Sequence, residues 1–264
     1  MVAKPESMTR RPSAGTARFY QTVHRAWWPE AGSEYQSSDR WAAVYRILQT
    51  SDLSCLLNLG FENLSSLLHL GRGLAIGRQI GIDIDAERVR RAREQHIEAY
   101  MCDISSERLP LDDGTVTCVY MGEVIEHLVD PDYAFEEIAR VTRKGGMIVI
   151  TTPNLASWYN RLLLLAGIQP LGTEVSSKFI LGRKMMALGQ MGRPVGHIRL
   201  FTLRALRDFL ALYPLHDVQI SGYSNAAIPF DPFFAQFAAL SSGLVVRARA
   251  GMIARDGGST NMGP

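Results

Sequence analysis

The sequence is poor in the residues that build covalent or metal frameworks, with only three cysteines in 264 residues. Cys55, Cys102 and Cys118 lie inside or beside apolar runs with no paired spacing. That excludes a disulfide scaffold and a cysteine-based zinc site, and predicts reduced core thiols in a cytoplasmic protein. Charge of one sign is equally scarce. A formal net charge of +2, from 28 basic and 26 acidic residues, sets up no field that argues for a nucleic-acid partner or an acidic membrane. Long apolar runs are missing too. The most apolar stretch, around Leu162 to Ile168, is far short of the ~20 residues that a membrane-spanning helix needs, so no stable membrane insertion is expected. Lys4, Arg10 and Arg11 near the start are followed by no apolar stretch of signal-peptide length. No internal repeat or low-complexity tract interrupts the chain.

What is present is an ordinary globular composition, 47% apolar and 20% charged, enough to bury a core that offsets chain entropy. The length suits one α/β domain with appended helices. Residues 1–15 read as a disordered tail and 16–50 as a helical lead-in or lid, rich in aromatics from Phe19 to Tyr45. Residues 51–250 read as the main domain, with insertions at 157–195 and 224–240, and 251–264 as a flexible tail.

Within that domain, short apolar runs alternate with amphipathic stretches. Cys55 to Gly60 reads as a strand and a turn, and Leu64, Leu67, Leu68 and Leu70 follow at helical spacing. Gln79 to Ile84 is a second strand, Ala86 to His96 an exposed helix, Tyr100 to Asp103 a third strand and Cys118 to Met121 a fourth. Pro131 to Thr142 is an amphipathic helix that Asp130 caps and Gly145-Gly146 stop. Met147 to Thr152 has the continuous apolar character of a strand buried on both faces. After it come a helix from Arg204 to Leu212 and two more strands, Asp217 to Ser221 and Gly243 to Arg249. This alternation predicts a doubly wound, mostly parallel sheet.

In such a sheet, ligands settle beyond the carboxyl ends of the strands, where strand order reverses. Gly60 follows the first strand, Asp83 ends the second, Asp103 ends the third, and Met121, Gly122 and Glu123 follow along the fourth. A carboxylate at Asp83 suits a ribose, because it accepts from both hydroxyls; the competing role is a solvated helix cap. Asp103 is suited to accept from an adenine amino group while the Ile104 backbone donates to a ring nitrogen, and its competing role is a turn.

This order of residues, with Gly60, Asp83, Asp103, the run from Leu109 to Val116 and the run from Gly122 to His127, resembles the class I S-adenosylmethionine-dependent methyltransferases. It is most similar to the branch that includes ubiquinone-pathway O-methyltransferases. The resemblance spans about Leu53 to Leu210 and continues through Thr151 to Leu155 and Gly196 to Thr202. It implies a seven-stranded Rossmann-like sheet whose last strand is antiparallel, S-adenosylmethionine as cofactor, and cofactor contacts at Gly60, Asp83, Asp103, Ile104, Met121 and Glu123. The first glycine motif departs from the family: after Asn58 and Leu59 only Gly60 is kept, followed by Phe61, Glu62, Asn63 and Leu64. Glu62 either crowds the methionine end of the cofactor or meets its ammonium group.

Glu123, Glu126 and His127 stand three and four apart, so one helical turn would put them on a shared face. Two carboxylates and an imidazole suit Mg or Zn, and a similar segment holds a divalent cation in some ubiquinone-pathway relatives. Many relatives carry it without metal, and the expected role here is a helix-start network around Asp130, with no metal ligand assigned. His127 is the candidate general base, since an imidazole titrates near neutrality; His197 is the second candidate. Trp158, Tyr159, Phe230, Phe233 and Phe234 predict an apolar lid for a small, lipid-like or glycosylated acceptor, the alternative being packing of long connections. The expected function is therefore methyl transfer, most simply O-methylation. The alternative is a non-catalytic relative whose altered first motif no longer holds the cofactor.

Overall fold

The computed structural model describes residues 39–61, 64–183 and 194–251. The tails at 1–15 and 251–264, most of the aromatic lead-in and Glu62 thus lie wholly or largely outside the described residues. Seven strands form one sheet: β1 (Cys55–Leu59), β2 (Arg78–Asp83), β3 (Glu98–Met101), β4 (Val116–Gly122), β5 (Thr142–Pro153), β6 (Leu215–Tyr223) and β7 (Gly243–Ala250). Their order is β3-β2-β1-β4-β5-β7-β6. β1 pairs in parallel with β2 and β4, β2 with β3, and β4 with β5, whereas β7 runs antiparallel to both β5 and β6. The order reverses between β1 and β4, the point at which sheets of this kind bind ligands beyond their strand ends.

The helices are α1 (Asp39–Leu48), α2 (Leu64–Gly73), α3 (Ala86–Glu94), α4 (Pro131–Val141), α5 (Trp158–Leu165), α6 (Leu203–Leu210) and the single turn α7 (Asp231–Phe234). They cover both faces. Leu57, Leu59, Ile80, Val119, Ile148 and Val246 pack with Phe135 and Ile138 of α4 and Leu206 and Leu210 of α6. On the opposite face Leu56, Cys118, Tyr120 and Val149 meet Trp41, Val44 and Leu48 of α1. Continuous burial along β1 and most of β4 and β5 is what two covered faces require. The three thiols are free and buried, and burial pushes those of Cys102 and Cys118 up to about 12, so they stay protonated and inert.

Three boundaries correct the sequence reading. β3 ends at Met101, so Asp103 lies in the turn that follows rather than at the strand's end. α4 is capped as expected, Asp130 accepting from the Tyr133 N–H at 3.0 Å, but it stops at Val141, where Thr142 turns extended at φ −78°, ψ 128°. Gly145 and Gly146 instead sit in an irregular stretch inside β5, where the register with β4 jumps from Val116↔Thr142 to Cys118↔Met147. The glycine pair is needed for that bulge, with Gly145 at φ +77°. Finally, β6 runs from Leu215 to Tyr223, longer at both ends than the strand from Asp217 to Ser221 read from the sequence. Among the described residues no helix is long and apolar enough to cross a membrane.

Candidate active site

The candidate site at the β1/β4 reversal is built from strand ends. β1 delivers Gly60, whose φ of +63° places it in the left-handed region, and a Cβ there would lie 2.6 Å from Cγ2 of Val124. Only glycine fits that backbone. β2 delivers Asp83, 3% exposed. One of its oxygens accepts from the Asp85 N–H at 2.8 Å, and the other lies 3.4 Å from the Arg88 guanidinium. Asp85, not Asp83, caps α3, through the Glu87 N–H, which sets aside the solvated-cap role for Asp83. Burial, only partly countered by Arg88, pushes the Asp83 carboxyl up to about 6. In the next turn, Asp103 accepts from the Ser105 N–H at 2.9 Å, and its own N–H donates to Glu107 at 2.8 Å. Neighbouring Ile104 is 8% exposed, and among the described residues nothing accepts from its N–H.

Met121 is fully buried within β4, a core residue as much as a wall of the candidate site. Glu123 takes a left-handed backbone at φ +54°, an uncommon conformation for a side-chain-bearing residue. Its carboxylate accepts from the Tyr223 hydroxyl at 3.0 Å and lies 3.8 Å from the Arg40 guanidinium. The following segment is a single 3₁₀ turn, Ile125–His127, not an α-helical turn. Glu123, Glu126 and His127 therefore do not gather as a contiguous trio around Asp130: Glu123 turns toward β6 and α1, while Glu126 and His127 turn elsewhere.

They turn toward the returning segment 194–201. The Glu126 carbonyl accepts from the N–H groups of Ile198 and Arg199 at 2.9 and 3.0 Å, and Arg199 donates to the Leu128 carbonyl at 2.6 Å. Glu174 holds the start of that segment through the N–H groups of Val195 and Gly196. The result brings His197 beside His127, ring centres 4.8 Å apart. His127 Nδ1 faces the Gly196 carbonyl at 3.0 Å and His197 Nδ1 faces the Gly172 carbonyl at 2.9 Å. A carbonyl only accepts, so each Nδ1 carries a proton at that contact. Glu126 is fully buried. Its Oε2 accepts from Thr152 at 3.0 Å, while Oε1 has no hydrogen-bond partner among the described residues. Burial, reinforced by Glu123, holds its carboxyl well above the usual range.

The aromatic segment also gathers. Trp158 stacks on Phe234 at 4.7 Å and meets Tyr159 edge-on, and its indole N–H donates to Asp231 at 2.9 Å. Phe230 and Phe233 remain exposed. Sequence reading missed Arg40, Arg88, Thr152 and Tyr223. Thr152 and Tyr223 end strands at the same edge as the motif residues, a placement that the strand pattern alone carried; Arg40 and Arg88 had no such signal.

Residues 57–150 match the family model of the methyltransferase domain. That stretch runs from β1 into β5, and over it the chain is similar to a methyltransferase domain. Over 80 residues the chain is 35% identical to a probable S-adenosylmethionine-dependent methyltransferase of Mycobacterium tuberculosis, covering 30% of this chain and 29% of that protein. Over 77 residues it is 34% identical to the malonyl-[acyl-carrier protein] O-methyltransferase of Pectobacterium atrosepticum, covering 29% of this chain and 30% of that one. The chain thus spans under a third of the length of these curated relatives. A solved structure, the complex between the Haloferax volcanii Trm112 methyltransferase activator and the putative methyltransferase, shares the fold with a TM-score of 0.58 at 17% identity, over 89% of this chain and 98% of that one. These comparisons support the likeness to methyltransferases without assigning the ubiquinone-pathway branch.

Proposed function

We propose that the protein is an S-adenosylmethionine-dependent methyltransferase acting on an oxygen of a small, lipid-like or glycosylated acceptor in the cytoplasm. The observation that carries this reading is the row of residues at the carboxyl ends of adjacent parallel strands, at the point where strand order reverses. Gly60 holds a left-handed backbone packed against Val124, the buried Asp83 presents an acceptor-only carboxylate, and among the described residues nothing accepts from the Ile104 N–H. These residues fit the cofactor: Asp83 for the ribose hydroxyls, Asp103 and the Ile104 N–H for the adenine edge, Gly60 for close backbone approach, with Met121 and Glu123 at the wall. Bound there, the cofactor supplies a methyl group on a sulfonium.

The chain's own work is positioning and proton handling. Holding an acceptor oxygen in line with the methyl is the larger part of catalysis. His127, its Nδ1 held at the Gly196 carbonyl, is the group assigned to receive the acceptor hydroxyl's proton. A cavity of about 800 Å³ between α5 and α6, lined by Leu155, Leu164, Leu203, Arg204, Arg207 and Asp208 among others, shares no residue with the strand-end row or with His127 and is not assigned to the acceptor. The non-catalytic alternative is not favoured, since residues 57–150 match the methyltransferase-domain model and the relatives include probable S-adenosylmethionine-dependent methyltransferases.

Calorimetric titration of the purified chain with S-adenosylmethionine and S-adenosylhomocysteine tests the reading. Saturable binding of both is expected. No heat at millimolar cofactor would remove the proposal.

A further inference from the structure

After Gly60 the first glycine motif gives way to Phe61, and nothing in the proposed function accounts for a large side chain there. Phe61 is 1% exposed and packs with Leu67 of α2, Val89 and Ala92 of α3 and Ala99 of β3. Room for its ring comes from Gly81 of β2, where a Cβ would lie 2.9 Å from the Phe61 ring. The Phe61 carbonyl oxygen lies 3.4 Å from Nη1 of Arg88, and the same nitrogen lies 3.4 Å from Oδ2 of Asp83. Resting on the cofactor reading above, we propose that Arg88 is a positioning residue of the cofactor site, one guanidinium that ties the loop after β1 to the ribose-facing carboxylate at the end of β2.

The placement of Arg88 sets it apart from its neighbours on α3, which carries four arginines, Arg88, Arg90, Arg91 and Arg93. Arg90 and Arg91 pair with Glu87 at the surface, and Arg93 donates to the Ala99 carbonyl. Arg88 turns instead to the end of β2, its side chain 17% exposed. It stands in the first turn of the helix, just after the Asp85 cap, where a cation opposes the helix dipole. The contacts with Asp83 and Phe61 offset that cost. A guanidinium nitrogen with two N–H groups serves two acceptors at once, and a carboxylate and a carbonyl are what it meets here.

Tied this way, Asp83 is fixed at both oxygens, Oδ1 by the Asp85 N–H at 2.8 Å and Oδ2 by Arg88. A carboxylate has about four lone-pair positions, so two remain for the two ribose hydroxyls. Arg88 also governs whether the carboxylate is charged. Among the described residues, the charged groups that act on Asp83 are Arg88 of α3, which favours the ionised form, and Asp85 in the β2–α3 turn, which opposes it. From the β3 side, the Cys102 N–H donates to the Asp83 main-chain carbonyl at 3.1 Å. Without the guanidinium, burial prevails further and Asp83 takes up its proton at a higher pH. The loop that carries Gly60 also loses one of its ties to β2. Arg88 thus couples the altered motif to the ribose acid.

Two measurements on the full chain test this role. Without cofactor, the Asp83 side-chain carboxyl is followed by carbon NMR against pH, its signal assigned through Asp83→Asn. Its midpoint should rise by about 1–2 pH units in Arg88→Met, the scale on which an adjacent opposite charge acts. Arg88→Lys, which keeps the charge, should stay near wild type, as should Arg91→Met, which removes an exposed cation from the same helix. S-adenosylhomocysteine is then titrated by calorimetry between about pH 6 and 9, each variant read as a ratio to wild type at the same pH. Arg88→Met should bind about two- to tenfold more weakly at pH 7, because affinity falls with the fraction of chains in the competent form. The ratio should shrink as pH rises, leaving only the part due to the Phe61 carbonyl. An unmoved Asp83 midpoint in Arg88→Met overturns the proposal, as does an affinity loss equal at every pH, which a merely structural role would give. Circular dichroism checks folding, and if Arg88→Met does not fold, Arg88→Gln takes its place. Wild type that binds no cofactor sinks the methyltransferase reading and this role together; wild type that binds, with the midpoint unmoved in the variant, sinks this role alone.

Discussion

Asp83 combines two demands that oppose each other. A carboxylate at the end of β2 is what a ribose requires, yet its burial raises its ionisation to about 6, which disfavours the charged form that accepts both hydroxyls. Asp83→Asn removes the charge while keeping nearly the same shape. We expect the variant to bind cofactor more weakly by about 1.5–3 kcal/mol, the worth of hydrogen bonds to a charged acceptor, as read by calorimetry. An unchanged dissociation constant would take Asp83 out of the site. His127 makes a different prediction. His127→Ala should lower turnover by about 100-fold or more and leave cofactor affinity as it was, because its proposed work is on the acceptor's proton and not on the cofactor. A variant whose cofactor affinity falls in parallel with turnover would show that His127 supports the cofactor pocket instead.

At the scale of elements, the parallel core was legible because its signal is simple: a buried strand is a continuous apolar run, and β1, β2, β4 and β5 all contain one. The residues after those strands were legible for the same reason, since topology alone says where a ligand sits. What escaped was whatever depends on long-range pairing. Nothing local to Gly196 and His197 says that the chain will return to the 3₁₀ turn, because the tie is made by main-chain N–H groups donating to Glu126, and every residue type carries those. The shared face of Glu123, Glu126 and His127 was a misreading of local geometry, as it assumed an α-helical turn where Glu123 adopts a left-handed backbone. The short α7 illustrates how a lone polar residue can organise an aromatic segment. Asp231 is fully buried and accepts from the Trp158 indole, the Ser242 hydroxyl and the Asn225 N–H. Asp231→Ala strands three donors, each costing about 1–3 kcal/mol. We expect a loss of at least 3 kcal/mol in chemical denaturation, with brighter or shifted tryptophan emission as Trp158 loses its partner. A stability change under 1 kcal/mol would mean that the segment is held by its ring contacts alone.

For the whole molecule, the buried acids set the direction of the pH response. Asp83 ionises at about 6 in the fold against an ordinary value of about 3.9 in the unfolded chain. Between those values the folded state binds the extra proton, so its contribution to stability is full below about pH 4 and is lost as pH rises through 6. That difference corresponds to roughly 3 kcal/mol. Without cofactor, the melting temperature should therefore decline between about pH 4 and 6 through Asp83. The same scan on Asp83→Asn should lack that part of the decline, and identical profiles for the two chains would show that Asp83 does not govern it. The variant predicted to bind cofactor less well is thus predicted to be the more stable one near neutrality, as is common where a site keeps an uncomfortable charge for function.

The position of β7 has a consequence for how the chain comes off the ribosome. It lies between β5 and β6, pairing Met147 with Arg249 on one side and Tyr223 with Gly243 on the other. Until residues 243–250 have emerged, β5 carries an unpaired apolar edge and β6 has no neighbour. The strands from β1 to β4 can assemble early, but the sheet closes only when its late-made penultimate strand slides between two waiting ones. Throughout that interval the nascent protein presents a sticky edge, the kind of surface that chaperones exist to shield.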